Sequence, residues 1–96
     1  MKDPAATGRP VRVRLPSPLD SYTGGRREVD LPGSDLGGVL AALDARFPGA
    51  RFRIVDEQDR VRTHIQVFVN GDQVRDLRRP LGPGDEVMIV AALSGG

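Results

Sequence analysis

The 96-residue chain contains no cysteine and no tryptophan, and its other aromatic residues are one tyrosine and three phenylalanines. The lack of cysteine excludes disulfides, thiolate metal sites and a cysteine nucleophile. The single histidine, His64, excludes a metal site built on a histidine pair. Scarce aromatic side chains also disfavour binding to single-stranded nucleic acid, which needs aromatic faces beside a basic groove for base stacking.

The sequence also lacks an excess of one charge and a long apolar run. Fourteen basic residues are balanced by thirteen acidic ones, for a net charge of +1, so no strong field for nucleic acid or membranes is expected. No apolar run approaches the roughly 20 residues that a membrane span needs, and residues 1–4 lack a signal-peptide core. We therefore expect a cytoplasmic, single-domain protein that binds no metal, no nucleic acid and no membrane.

Apolar and polar residues alternate in several segments, which is typical of strands with one buried face. Strands are predicted at residues 11–15, 26–31, 64–70, 73–75 and 86–92. Asn70-Gly71 predicts a tight hairpin turn, because both residues tolerate a positive φ angle. Residues 19–25 are predicted to form a turn between the first two strands.

One amphipathic helix is predicted between the second and third strands. Apolar residues recur at helical spacing from Leu36 to Phe47. Ser34 or Asp35 can cap the start of this helix. For residues 50–55, a short strand and a single helical turn both remain open, and residues 56–60 are expected to form an exposed turn.

This order of elements predicts an α+β fold in which one main helix packs on one face of a mixed four- to five-stranded sheet. If the first and last strands lie side by side at the centre, the fold is a β-grasp, the ubiquitin-like roll. We expect a flexible N-terminal arm over residues 1–10, the β-grasp domain over residues 11–92 and a flexible diglycine tail over residues 93–96.

The last four residues, Leu93, Ser94, Gly95 and Gly96, follow the strand that is expected to be central. Four extended residues span roughly 13 Å, and glycine has no side chain to obstruct a narrow channel. Such a tail suits delivery of the Gly96 carboxylate into the active site of another enzyme. A linker remnant or a truncated end is the alternative explanation of the glycine pair.

From Val11 to Gly96 the sequence resembles the MoaD/ThiS family of ubiquitin-like sulfur carriers. The segments that carry the resemblance are Leu36-Gly37, Val67-Phe68-Val69-Asn70-Gly71, Gly84-Asp85-Glu86-Val87 and Gly95-Gly96. With Thr23-Gly24-Gly25 in its long first turn, the chain is most similar to the CysO branch, whose carriers feed cysteine synthesis.

The resemblance implies a sulfur carrier that is not itself an enzyme, with no catalytic residues and no bound cofactor. A partner adenylyltransferase/sulfurtransferase of the ubiquitin-activating type would use ATP and magnesium to adenylate the Gly96 carboxylate. Sulfide or a persulfide would then displace AMP and leave a thiocarboxylate. The acceptor would be an enzyme similar to cysteine synthase, to thiazole synthase or to the molybdopterin synthase large subunit.

Two other functions remain open at the level of the sequence. The chain could be a ubiquitin-like modifier that is conjugated through Gly96 to lysines of target proteins, since the chemistry is shared up to the adenylate. It could also be an interaction module with an inert tail. An independent enzyme is disfavoured, because the sequence has no nucleophile–base pair, metal cluster or phosphate-loop motif.

Strand alternation also predicts a docking surface. Phe68, Met88 and Val90 should point away from the helix and lie together, with Arg12 and Arg14 on the adjoining first strand. An exposed apolar cluster rimmed by cations is typical of a surface that binds other proteins. The alternatives are that Phe68 and Met88 only cover each other as a minor outer cluster, or that the register of one strand is shifted.

Overall fold

The computed structural model describes residues 10–91, in which five strands form one mixed sheet. The strands are β1 (Val11–Arg14), β2 (Glu28–Leu31), β3 (Ile65–Val69), β4 (Asp72–Val74) and β5 (Glu86–Ala91). Their spatial order is β2-β1-β5-β3-β4. The first and last strands are parallel neighbours and all other pairs are antiparallel, so the predicted β-grasp arrangement is confirmed.

The main helix, α2 (Leu36–Arg46), covers one face of this sheet. Its side chains Leu36, Val39, Leu40 and Leu43 are fully buried, which confirms the apolar stripe seen in the sequence. The cap is Asp35, whose carboxylate accepts a hydrogen bond of 2.7 Å from the Gly38 amide. Such a cap satisfies one of the amide groups left free at the start of a helix.

Two shorter helices complete the fold. The prediction of a turn over residues 19–25 is wrong in part, because a 3₁₀ turn (Ser17–Leu19) leads into α1 (Asp20–Thr23). Burial of Leu19 and Thr23 holds this segment against the domain. Of the two alternatives for residues 50–55, the helical one is confirmed by α3 (Ala50–Ile54).

The β3–β4 hairpin turns at Asn70 and Gly71, which have φ angles of 50° and 90°. These positive angles are those required by the tight turn that Asn-Gly predicts. The hairpin fixes which β3 side chains face α2, and these are Ile65, Val67 and Val69. Within residues 10–91, the longest helix has 11 residues and none is long and apolar enough to cross a membrane.

Candidate functional site

The last strand lies at the centre of the sheet, between β1 and β3. Val87 pairs with Val13 on one side and with Val69 on the other. The strand ends at Ala91, which pairs with Ile65 at the start of β3. The predicted tail residues Leu93, Ser94, Gly95 and Gly96 lie outside the described residues, as do residues 1–9 of the predicted N-terminal arm.

The structure brings Phe68, Met88 and Val90 together on the sheet face opposite α2, and we call these three residues the apolar patch. Phe68 and Met88 are directly opposite each other on β3 and β5, and Val90 is opposite Gln66. Met88 is 40% exposed, whereas Phe68 and Val90 are half-buried. The patch therefore presents a continuous apolar surface to solvent, although its use as a docking surface stays a prediction.

Arg12 and Arg14 lie beside the apolar patch, as the alternation predicts, but they are not free cations. Arg12 pairs with Asp30 at 3.1 Å and with Glu28 at 3.5 Å. Arg14 pairs with Glu86 at 2.7 Å and with Glu28 at 3.6 Å. The hydrogen bond to Glu86 is the main reason why the pKa of Arg14 is raised further above its already high ordinary value.

These five side chains form an ion-pair ladder in the order Asp30, Arg12, Glu28, Arg14 and Glu86. Acidic and basic groups alternate along it, with three carboxylates and two guanidinium groups. The expectation of an apolar cluster rimmed by cations therefore needs correction: the rim is a nearly neutral set of exposed ion pairs. Such a rim contributes more to selecting a partner than to binding energy.

A second feature, which was not predicted from the sequence, is a set of hydrogen bonds that joins the start of β5 to the hairpin turn. The Asn70 side chain donates to an Asp85 carboxylate oxygen at 3.1 Å and accepts from the Glu86 amide at 3.0 Å. The other Asp85 oxygen accepts from the Gly82 amide at 2.8 Å. The pKa of Asp85 is lowered mainly by the hydrogen bond from the Gly82 amide and next by the hydrogen bond from Asn70. The contacts between Asn70-Gly71 and Gly84-Asp85 therefore fix the register of β5 against the hairpin, and we call these two segments the register clamp.

The start of α2 shows why glycine occurs at position 37. The Gly37 amide donates to the Leu77 carbonyl at 2.8 Å, and a Cβ atom at Gly37 would come within 3.3 Å of the same oxygen. The Leu36 amide likewise donates to the Arg79 carbonyl at 2.9 Å. Because a neighbouring loop uses these amides, the helix start is not open to an anion.

The described part of the chain offers no set of side chains suited to catalysis by metal. Between Pro10 and Ala91 there is no group of three or more His, Cys, Asp or Glu side chains that could hold an ion. His64 is exposed at the start of β3.

Comparison with known proteins identifies the group to which the chain is related. The ThiS family model matches residues 13–96. The sulfur carrier protein CysO of Mycobacterium tuberculosis is 33% identical over 91 residues, which cover 90% of this chain and 98% of that protein. The CysO protein of Mycobacterium bovis matches with the same figures.

Solved structures agree with the sequence comparison. A chain in the crystal structure of the Amycolatopsis orientalis BexX/CysO complex has a TM-score of 0.83 and 30% identity, covering 90% of this chain and 99% of that one. Small archaeal modifier protein 1 of Methanosarcina acetivorans has a TM-score of 0.76 and 26% identity, covering 93% and 98%. The resemblance found in the sequence is thereby confirmed, and this chain belongs to the ThiS family.

Proposed function

We propose that this chain carries sulfur as a thiocarboxylate at Gly96 and donates it to a biosynthetic enzyme. The main support is the extent of the family match, which runs from residue 13 to Gly96 and so includes both terminal glycines. Relatives that the match covers over 98% of their length are sulfur carrier proteins by name. In this function the chain is a co-substrate of its partners, and the partners perform the catalysis.

The chemistry follows from the reactivity of a carboxylate, which is a poor acylating group. A partner of the ubiquitin-activating type joins the Gly96 carboxylate to the AMP portion of ATP, with magnesium bound to the nucleotide and pyrophosphate released. The resulting mixed anhydride has a carbonyl carbon that a nucleophile can attack. Sulfide then displaces AMP and leaves the thiocarboxylate directly. A persulfide displaces AMP to form an acyl disulfide, and a second thiol must cleave its S–S bond, forming a new disulfide, to release the thiocarboxylate.

The fold gives this terminus a rigid base. β5 pairs with β1 over residues 86–88 and with β3 over residues 87–91, so Ala91 is held in the sheet by its pairing with Ile65. The five residues that follow it span at most about 17 Å when extended. A partner enzyme that acts on Gly96 must therefore bring its own surface close to the end of β5.

The apolar patch is the surface that we assign to this docking. Met88 and Val90 belong to β5, the last strand before Gly96 in the sequence, so an enzyme that binds them is held near Gly96. Methionine adapts its shape to different surfaces, which suits a carrier that must meet an activating enzyme and then an acceptor. The similarity to CysO favours a cytoplasmic acceptor that resembles cysteine synthase over thiazole or molybdopterin acceptors.

Intact-mass measurement after incubation with ATP, magnesium, sulfide and a candidate activating enzyme tests the proposal. We expect the mass change of one oxygen replaced by sulfur. A variant that lacks Gly95 and Gly96 is the matched control and should show no change. An unchanged mass of the full chain, under conditions in which the enzyme converts another ThiS-family carrier, would contradict the proposal.

Conjugation to other proteins is the second candidate function. It is favoured by the similarity to small archaeal modifier protein 1, and it shares the adenylation step. The only lysine of this chain is Lys2, so chains linked through the carrier itself could grow only from that side chain or the amino terminus. Amide-linked bands on other proteins, in place of the mass change, would identify the chain as a modifier.

A further inference from the structure

The segment between α3 and β3 forms a groove on a side of the domain that the apolar patch does not include. Its volume is about 620 Å³. The lining residues are Asp56, Gln58, Asp59, Arg60, Val61, Arg62, Thr63 and Arg75. A backbone bridge between Val55 and Val61 closes the base of this segment, so the groove belongs to an ordered turn.

The acidic side chains of the groove already have partners within the chain. Asp59 pairs with Arg51 at 2.9 Å. Asp56 accepts from the backbone amides of Gln58 at 2.8 Å and Arg60 at 3.0 Å. These amides, with a smaller contribution from nearby guanidinium groups, lower the pKa of Asp56, so its carboxylate is committed to the turn.

The basic side chains, in contrast, keep unused donors. Within residues 10–91, none of Arg60, Arg62 and Arg75 forms an ion pair with a carboxylate. Arg75 donates from one nitrogen to the Val61 carbonyl at 2.6 Å, and Arg60 donates from one nitrogen to the side chain of Gln58. A guanidinium group has five N–H donors, so most of them remain available to a ligand.

An exposed aromatic ring borders the groove and holds one of these arginines. Phe52 is 52% exposed, and the Arg62 guanidinium lies over its ring at 4.5 Å from the centroid. The Nε atom of Arg62 also donates to the Phe52 carbonyl at 2.8 Å. Because stacking and hydrogen bonding fix the guanidinium plane, Arg62 loses little conformational freedom when it binds a carboxylate.

The groove lies at the end of the sheet from which the chain continues to Gly96. The groove segment leads through Thr63 and His64 into Ile65, and Ile65 pairs with Ala91. Arg75 directly follows β4, whose Val74 pairs with Val67 of β3. Any enzyme that takes Gly96 must reach within about 17 Å of Ala91, so it approaches the same end of the sheet at which these arginines lie.

We propose that Arg60, Arg62 and Arg75 form a second docking surface, which binds a carboxylate-rich rim around the channel of the partner enzyme that receives Gly96. This inference rests on the proposed function, because it assigns the groove to the same partner. Charge complementarity carries it: the three guanidinium groups line one groove and have no carboxylate partner within residues 10–91, while both arginines of the ion-pair ladder next to the apolar patch are already paired. The arginines would raise the association rate and orient the enzyme, as rim charges do.

The first test uses the chain alone, so that its outcome does not depend on sulfur transfer. Hexaglutamate is titrated into the isotope-labelled full chain at low salt, and amide chemical shifts are followed by NMR. We expect changes concentrated at residues 58–63 and 75, and their loss in the double variant Arg60→Glu, Arg75→Glu. Equal shifts at all exposed arginines, or none at the groove, would overturn the inference.

The second test measures association with the activating enzyme. We expect the double variant to lower the association rate constant about tenfold, with a nearly unchanged dissociation rate, and high salt to remove the difference. Arg53→Glu is the matched control for the single variant Arg60→Glu, because it changes the net charge equally and Arg53 is an exposed arginine of α3 that does not line the groove. It should change the rate at most about twofold.

Two further comparisons separate the possible failures. Arg60→Glu alone keeps the hydrogen bond from Arg75 to Val61. If this single variant associates more slowly at an unchanged melting temperature, the slower association is due to the lost charge and not to loss of fold. Equal association rates for the double variant and the original chain would overturn the second docking surface even if hexaglutamate binds. An unchanged mass in the sulfur-transfer assay would instead contradict the proposed function, while the titration still decides about the groove.

Discussion

The two faces of the sheet are built from neighbouring residues of the same strands, yet they obey different constraints. Val67 and Val87 point towards α2 and are fully buried, whereas Phe68 and Met88, one residue further along, point away from it. The covered face must fill space at interior density. The open face has no such requirement, so its composition is available for recognition.

The open face is itself divided into two halves. The half formed by β3 and the rest of β5 presents the apolar patch, and the half formed by β1, β2 and the first residue of β5 presents the ion-pair ladder. Burial of apolar area supplies most binding energy, while exposed ion pairs contribute little. The contrast teaches that exposure alone does not mark a docking surface, because only one half of this exposed face offers area to bury.

The largest expected effect is a difference in the free energy of unfolding when a carboxylate is introduced at two adjacent positions of β5, one on each face of the sheet. Val87→Glu places a carboxylate without a partner in the core and should lower the free energy of unfolding by more than about 4 kcal/mol. Met88→Glu adds the same charge to the open face and should cost no more than about 1 kcal/mol. Urea unfolding measures both, and equal losses would show that Met88 is a core residue.

A charge on the open face, which should cost little stability, should weaken partner binding strongly. Phe68→Glu is expected to weaken binding to the activating enzyme about 30-fold, equivalent to about 2 kcal/mol, with a nearly unchanged melting temperature. Gln73→Glu is the control, because Gln73 lies opposite Phe68 on the edge strand β4 and receives the same added charge. Similar losses in both variants would indicate a general charge effect and not a docking contact.

Acid should affect the register clamp at the start of β5. The pKa of Asp85 is lowered in the folded chain, so the stabilisation by its carboxylate is complete above the ordinary pKa of about 4. It is lost as the pH falls through the lowered value. Unfolding measured between neutral pH and pH about 2 should therefore show a smaller acid-induced loss of stability in Asp85→Asn than in the original chain, and parallel curves would contradict this role.

The ion-pair ladder should give the smallest effect. Arg14→Gln removes the contacts with Glu86 and Glu28, but these groups are about half exposed. We expect a loss of less than about 1 kcal/mol in the free energy of unfolding, which disappears at high salt. A larger, salt-independent loss would mean that the charged half of the open face is as important for folding as the covered face.

The elements with strong local signals could be predicted from the sequence. Alternation located four of the strands, the apolar stripe located α2, and Asn70-Gly71 located the hairpin turn and with it the short return strand β4. Each of these signals is contained in a few consecutive residues, because the periods of strands and helices are short. The position of Phe68 beside Met88 followed from the same alternation once the central pairing was assumed.

Features that depend on distant residues could not be predicted in this way. Arg14 and Glu86 are 72 positions apart in the sequence, so nothing local distinguished a paired arginine from a free one. The contact between Asn70 and Asp85 needs the register of two strands before it can be recognised. The helical turn of α1 depends on burial of Leu19, which its polar neighbours conceal in the sequence.

The central position of β5 has a consequence for synthesis of the protein. Without residues 86–91 the sheet consists of two separate hairpins, β1–β2 and β3–β4, with no strand joining them. A nascent chain therefore cannot complete its sheet until the ribosome has nearly reached Gly96, since long-range pairing needs both partners. Chains that end before β5 remain open to proteolysis, and the cell's pool of folded protein therefore consists of molecules that include residues 86–91.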